Sequence, residues 1–269
     1  MRSMLLRSVV GKTLRDGRRG LVGWSLGIAV LVLITCSVYP SIRDNADLQR
    51  AVEDYPEELK AFIGGSLDFS TGPGYLQGEL FSLMLPLLLL VYGIAAGARA
   101  LAGEEEAGTL DLLLANPVSR ERLALEKLAA LAALLALLAA VTFLLVAGSD
   151  VLFSMDVGAG PIAAATLVTW LLALLHGTLA LLVGAATGSR ALAIAAAASV
   201  AVAGYLLDGL GNLVDVLEPL QPFAPWHWYT AGDTLRNGLD VGWTLLLAAA
   251  TVVLAAAAPP LFARRDLSV

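Results

Sequence analysis

The sequence predicts an all-α integral membrane protein of about six transmembrane helices, with both termini in the cytoplasm. Three observations point there. Apolar residues make up 58% of the 269 residues and charged residues only 15%, with a mean hydropathy of +0.78, whereas a soluble domain carries about 25% charged residues. The apolar residues gather in six blocks, at 21–39, 80–98, 123–148, 161–187, 191–207 and 241–262, each near the roughly 20 residues that cross ~30 Å of hydrocarbon. The blocks are solidly apolar, which excludes the alternating ~10-residue strands of a membrane barrel. Finally, with the N-terminus inside, 13 basic residues face the cytoplasm and only Arg43, Arg50, Lys60 and Arg236 face out, as the positive-inside rule requires. Of the 23 acids, 15 lie outside, so the net charge of −6 is a property of the outer face and implies no nucleic-acid partner.

Taken in order, residues 1–20 place Leu6, Val10 and Leu14 at a spacing of four with Lys12, Arg15, Arg18 and Arg19 around them. That pattern predicts a helix on the inner membrane surface with its cations toward anionic lipid. Residues 21–39 read as a retained first span, since the charged lead and the apolar run are both too long for a cleaved leader. The single cysteine, Cys36, falls inside this span, so no intrachain disulfide forms and the thiol reads as a packing residue. The outer loop 40–78 repeats Leu48, Val52, Tyr55, Leu59 and Phe62 at helical spacing, predicting an amphipathic helix broken near Pro56. Span 80–98 follows.

Spans 123–148 and 161–187 exceed the length needed and imply tilt or extension past the headgroups. Span 191–207 is short, limited by Asp208. Residues 209–240 contain Pro219, Pro222 and Pro225, which forbid one continuous helix. Phe223, Trp226, Trp228 and Tyr229 in the same stretch are the aromatics expected at a membrane interface, so a folded-back or interfacial element is expected. Span 241–262 and a cytoplasmic tail, 263–269, complete the chain.

Catalytic chemistry finds little support. Gly11-Lys12-Thr13 resembles the end of a phosphate-binding loop, but the glycine required five positions earlier is Leu6. The chain is therefore not expected to hydrolyse ATP. Only His176 and His227 are present, with no HExxH or CxxC spacing, so no metal site, catalytic residue or cofactor site is assigned. His176 is the polar residue of interest within a span. An intramembrane ionisable group is by default a functional hypothesis, set against a neutral imidazole bonded to a neighbouring helix. Gly23/Gly27, Gly93/Gly97 and Gly184/Gly188 show the spacing that lets helices approach closely.

Residues 103–120, GEEEAGTLDLLLANPVSR, interrupt the apolar run. Glu104, Glu105 and Glu106 read as the first turn of a short helix, where anions favour the positive end of the helix dipole. Leu110, Leu113 and Leu114 share a face from which Asp111 turns away. Pro117 biases the chain out of helix, and Ser119 caps the helix that enters the third span. The segment reads either as a rigid lever parallel to the membrane or as an ordinary charged loop helix.

The same residues carry a resemblance. Glu106, Gly108, Thr109, Leu110, Leu113, Leu114, Pro117, Val118, Ser119, Arg120 and Lys127 match the pattern E-x-G-T-L-x-x-L-L-x-x-P-[VI]-S-R plus a following lysine, found in the permease subunits of type-two ABC exporters. The stretches LRDGRRGLVGW, PFAPWHWYTAGDTLRNGL and FARRDL are similar to that family's basic lead-in, outer segment and cytoplasmic end. The outer-segment residues so matched are Pro222, Phe223, Pro225, Trp226 and Trp228.

The abundance of Ala, Gly and Leu, with Arg favoured over Lys, suggests a prokaryotic plasma membrane. The resemblance implies a single type-two ABC exporter-like transmembrane domain. It implies pairing with a second permease chain, identical or homologous, and docking on two copies of an ABC ATP-binding subunit that holds the ATP and Mg. Residues 103–120 would be the coupling helix. Glu104–Glu106 would supply charged contacts to the ATPase, Gly108 a close approach, and Pro117 and Ser119 the exit angle. Spans rich in Ala, Leu and Val without intramembrane charge pairs are compatible with a hydrophobic or amphiphilic cargo such as a drug, antibiotic or lipid, and the same spans could also line a path for something polar. The alternatives are an ATP-independent channel or carrier, and a membrane scaffold for an ATPase.

Overall fold

The computed structural model describes residues 9–45, 69–114 and 118–265. In chain order the helices are α1 (Val9–Arg43), α2 (Gly72–Glu106), the short α3 (Leu110–Leu114), α4 (Arg120–Leu152), α5 (Ala159–Thr187), α6 (Arg190–Gly211), the short α7 (Pro225–Thr230) and α8 (Thr234–Asn237), and α9 (Val241–Arg264). Six of them, α1, α2, α4, α5, α6 and α9, are long and apolar enough to cross a membrane. The loop helix expected from Leu48, Val52, Tyr55, Leu59 and Phe62 lies outside the described residues, as do Leu6, Pro117 and residues 266–269.

The boundaries differ from the sequence expectation where side chains beyond the apolar run find partners. Residues 9–20 are not a separate surface helix. They continue into the first span, and α1 runs unbroken for 35 residues, about 52 Å at 1.5 Å per residue. Its first turns pack on α4: the Val9 N–H donates to Glu126 Oε2 at 2.7 Å, and a Cβ on Gly17 would stand 3.2 Å from Leu134. The second span starts at Gly72 rather than residue 80, and it contains two π turns, at Gln77–Phe81 and Arg99–Gly103. The fifth span does not stop before Asp208 but continues to Gly211. An unpaired carboxylate would have ended it, but this one accepts hydrogen bonds from the segment that follows.

α5 is the central post. In its apolar window 72% of residues are buried, against 17% for α1. It packs against α2, α4, α6 and α9, while α1 leans on α4. The α2–α5 contact is backbone to backbone. A Cβ on Gly97 would stand 2.0 Å from Gly177 O, and one on Gly177 would stand 2.9 Å from Gly93 O. Small residues are what permit such approach between spans. Gly23 and Gly27 have the same spacing, yet their α-carbons face open space. Val22, Leu26 and Ile34 on α1, Val202 on α6 and Val252 on α9 are exposed, a surface suited to hydrocarbon rather than water.

Candidate functional site

The basic ends of the spans meet at the corner between α2 and α3. Glu104–Glu106 form the last turn of α2 rather than the first turn of a coupling helix. The Thr109 N–H donates to Glu104 O and the Gly108 N–H to Glu105 O, both at 2.9 Å, the paired closure that ends a helix on a left-handed residue. That residue is Gly108, at φ +66°, a conformation a side chain disfavours. Three anions thus stand at the negative end of a helix dipole, which is unfavourable in isolation. They are held by what surrounds them.

Each glutamate accepts from its own donor. Glu104 Oε1 lies 2.7 Å from Lys127 Nζ on α4 and 3.9 Å from Lys12 Nζ on α1. Its other oxygen accepts the Thr109 hydroxyl. Lys127 is 2% exposed, so its ammonium depends on this carboxylate. The carboxylate of Glu105 pairs with Arg265, just past α9. Glu106 Oε1 accepts the Arg190 N–H at 2.8 Å, the first backbone donor of α6, which has no partner within its own helix. The anion-at-N-terminus argument therefore holds for Glu106, but the helix served is α6.

Around this knot, Arg120 Nη1 donates to Arg265 O at 2.8 Å, and Ser119 caps α4 by accepting the Arg122 N–H at 3.2 Å. Leu110 is buried in the main core, and Leu113 and Leu114 pack against it. Asp111, Glu106, Ala107 and Gly108 remain exposed. Sequence reasoning missed Lys12, Arg265 and the structural weight of Lys127. A lone cation beside an apolar run was the available signal for the last of these.

At the opposite end, residues 218–237 fold back as a 3₁₀ turn (Glu218–Phe223) followed by α7 and α8. Asp208 anchors them. Its carboxylate accepts His227 Nδ1–H at 2.8 Å and the Thr230 hydroxyl at 2.7 Å, and its carbonyl accepts Gln221 Nε2–H at 2.8 Å. The aromatics divide: Trp226 and Tyr229 are buried beside Leu172 and Leu247, while Phe223 is 76% exposed. Pro225 opens α7 at its first turn, and Trp228 Nε1 donates to Pro222 O at 2.7 Å. His176 sits within α5, 1% exposed, with Nδ1–H directed to Leu172 O at 2.9 Å. It bonds to its own helix.

Among curated proteins none matches the chain. The family model described as ABC-2 family transporter protein matches residues 7–267, nearly the whole length. The six-span bundle and this match together place the chain in the ABC-2 family of transporter proteins, as a multi-pass membrane component of a transport system and not itself a catalytic ATPase.

Proposed function

We propose that this chain is the translocating subunit of an ATP-driven exporter, coupled through residues 103–120 to a separate ATP-binding subunit. The observation that carries the reading is the construction of the α2–α3 corner. It leaves Glu106, Ala107, Gly108 and Asp111 exposed, while Glu104, Glu105 and Glu106 fasten it to α1, α4, α6 and Arg265. A force applied to the exposed edge is thereby delivered to several spans, which is what a switch between two packed arrangements needs. The driving energy comes from contacts that differ between the ATP-bound and ATP-free states of the partner.

In this reading two ATPase subunits, holding ATP and Mg, drive a pair of permease chains. The cargo is a hydrophobic or amphiphilic small molecule. A cavity of about 420 Å³ between α1, α2, α6 and α7 supports that class, because Leu31, Leu83 and Met84 line it together with Glu79, Asp208 and Thr230.

The test is a photo-crosslinking amino acid at Asp111, with the chain expressed in its native membrane and the adducts identified by mass spectrometry. A P-loop ATPase joined at Asp111, and absent when the probe stands at Val151 on the far end of α4, is the expected result. A well-expressed chain that captures no ATPase from Asp111 sinks the proposal.

A further inference from the structure

Arg265 stands one residue past α9 and joins three elements. Its guanidinium donates to the Glu105 carboxylate at the α2–α3 corner, and from Nη1 to Gly184 O at 3.4 Å in the last turns of α5. Its own carbonyl accepts Arg120 Nη1–H at 2.8 Å from the start of α4. The side chain is 15% exposed. Gly188 makes the room: it ends α5 at φ +70°, and a Cβ there would stand 2.5 Å from Arg265 Nη1.

The three glutamates differ in reach. Glu104 and Glu106 fasten the corner to α4, α1 and α6. Glu105 reaches α9, a helix that packs on α5 and α4 and meets them through apolar faces centred on Leu247, Ala258 and Phe262. Apolar packing resists being pushed together, but in a bilayer it resists separation weakly, since lipid tails are as apolar as the helix they replace. A charge-assisted hydrogen bond resists both. A pull of the corner on α9 and on the end of α5 is therefore carried best by a polar link. The Arg265 side chain supplies the direct one, beside the longer route from Lys127 along α4 and through Arg120 to the Arg265 carbonyl.

We infer that Glu105 and Arg265 are the link through which displacement of the α2–α3 corner passes to α9 and to the basic end of α5. Arg265 is then a positioning residue of the transport cycle. The inference rests on the coupling reading above and names a route within it.

The test uses the complex with its ATPase, reconstituted in lipid nanodiscs, in a Cys36→Ala background. Nitroxide labels at Val151 and Val241, both exposed and both at the end opposite the corner, report the distance between α4 and α9. In the otherwise unaltered complex that distance shifts when ATP and vanadate trap the ATPase. With Arg265→Ala the ATPase stays bound and the shift falls to less than half, and Arg265→Lys restores it. Glu105→Gln, which keeps the size of the side chain, gives the same loss and decides the matter where Arg265→Ala fails to fold. A full shift in either variant with the ATPase bound overturns the inference alone. An unaltered complex that binds no ATPase, or shows no shift, overturns the coupling reading and this inference with it. A purely structural Arg265 would lower the unfolding midpoint yet leave the shift intact.

Discussion

Lys127, 2% exposed on α4, holds its ammonium 2.7 Å from Glu104 Oε1 at the end of α2. Removing one member of such a pair leaves the other charge without compensation, which costs ~3–5 kcal/mol when the pair is buried. Glu104 keeps 19% exposure, so Glu104→Ala should destabilise toward the low end, about 3 kcal/mol. Lys127→Met/Glu104→Gln, which removes both charges, should recover most of that. Thermal unfolding of the purified chain in detergent checks it. A double variant no better than the worse single one argues against the pairing.

Gly108 closes α2 in the left-handed region, and no neighbouring atom lies within 4 Å of where its Cβ would be. The penalty for a side chain is thus conformational, not steric. Gly108→Ala should cost ~1–2 kcal/mol, and Gly108→Asn less, since asparagine tolerates this region. Equal midpoints for all three residues would show that the turn does not hold its left-handed form in the folded chain.

Two glycine pairs of identical spacing should behave oppositely. Gly97→Ala drives a methyl group onto Gly177 O, 2.0 Å away, whereas Gly27→Ala enters open space. The first should separate α2 from α5 and destabilise by ~1–3 kcal/mol or more, as overpacking does. The second should leave the midpoint unchanged in the isolated chain. Yield of monodisperse protein and its unfolding midpoint read the difference.

Asp208 fastens the folded-back segment through His227 and Thr230. Asp208→Ala leaves those donors without their acceptor at a cost of ~1–3 kcal/mol, and the loss should be local. Hydrogen exchange should quicken across residues 222–231 and stay unchanged in α4. Uniform quickening would mean that the whole bundle, not the segment, depends on Asp208.

The spans were legible because a membrane helix is an unbroken apolar run, and residues 123–148 or 161–187 admit no other reading. Their ends were less so. Asp208 looked like a stop because its partners, His227 and Thr230, are 19 and 22 residues away. Gly93/Gly97 and Gly23/Gly27 carry the same local signal, but only the first pair meets another helix, and spacing does not say which. The glutamates were the largest displacement. The sequence shows three anions before a leucine-rich turn and suggests the start of a helix. Their donors, Lys127, Arg190 and Arg265, lie 23, 84 and 160 residues on, where no local rule reaches. One local signal did exist: Gly108, two residues past Glu106, is where a helix closes, and it assigns the glutamates to α2.

The π turn at Arg99–Gly103 gives α2 one residue more than an unbroken α-helix of the same rise, and one residue is roughly 100° of rotation about the axis. The membrane-embedded stretch of α2 must keep Gly93 and Gly97 toward α5, while its tip must keep Glu104 toward Lys127. The extra residue lets both demands be met along one axis, as a spline lets two gears on a shaft be set at different angles. Deleting Ala100 would leave the greasy stretch in place and swing all three carboxylates about a quarter turn or more away from their cations.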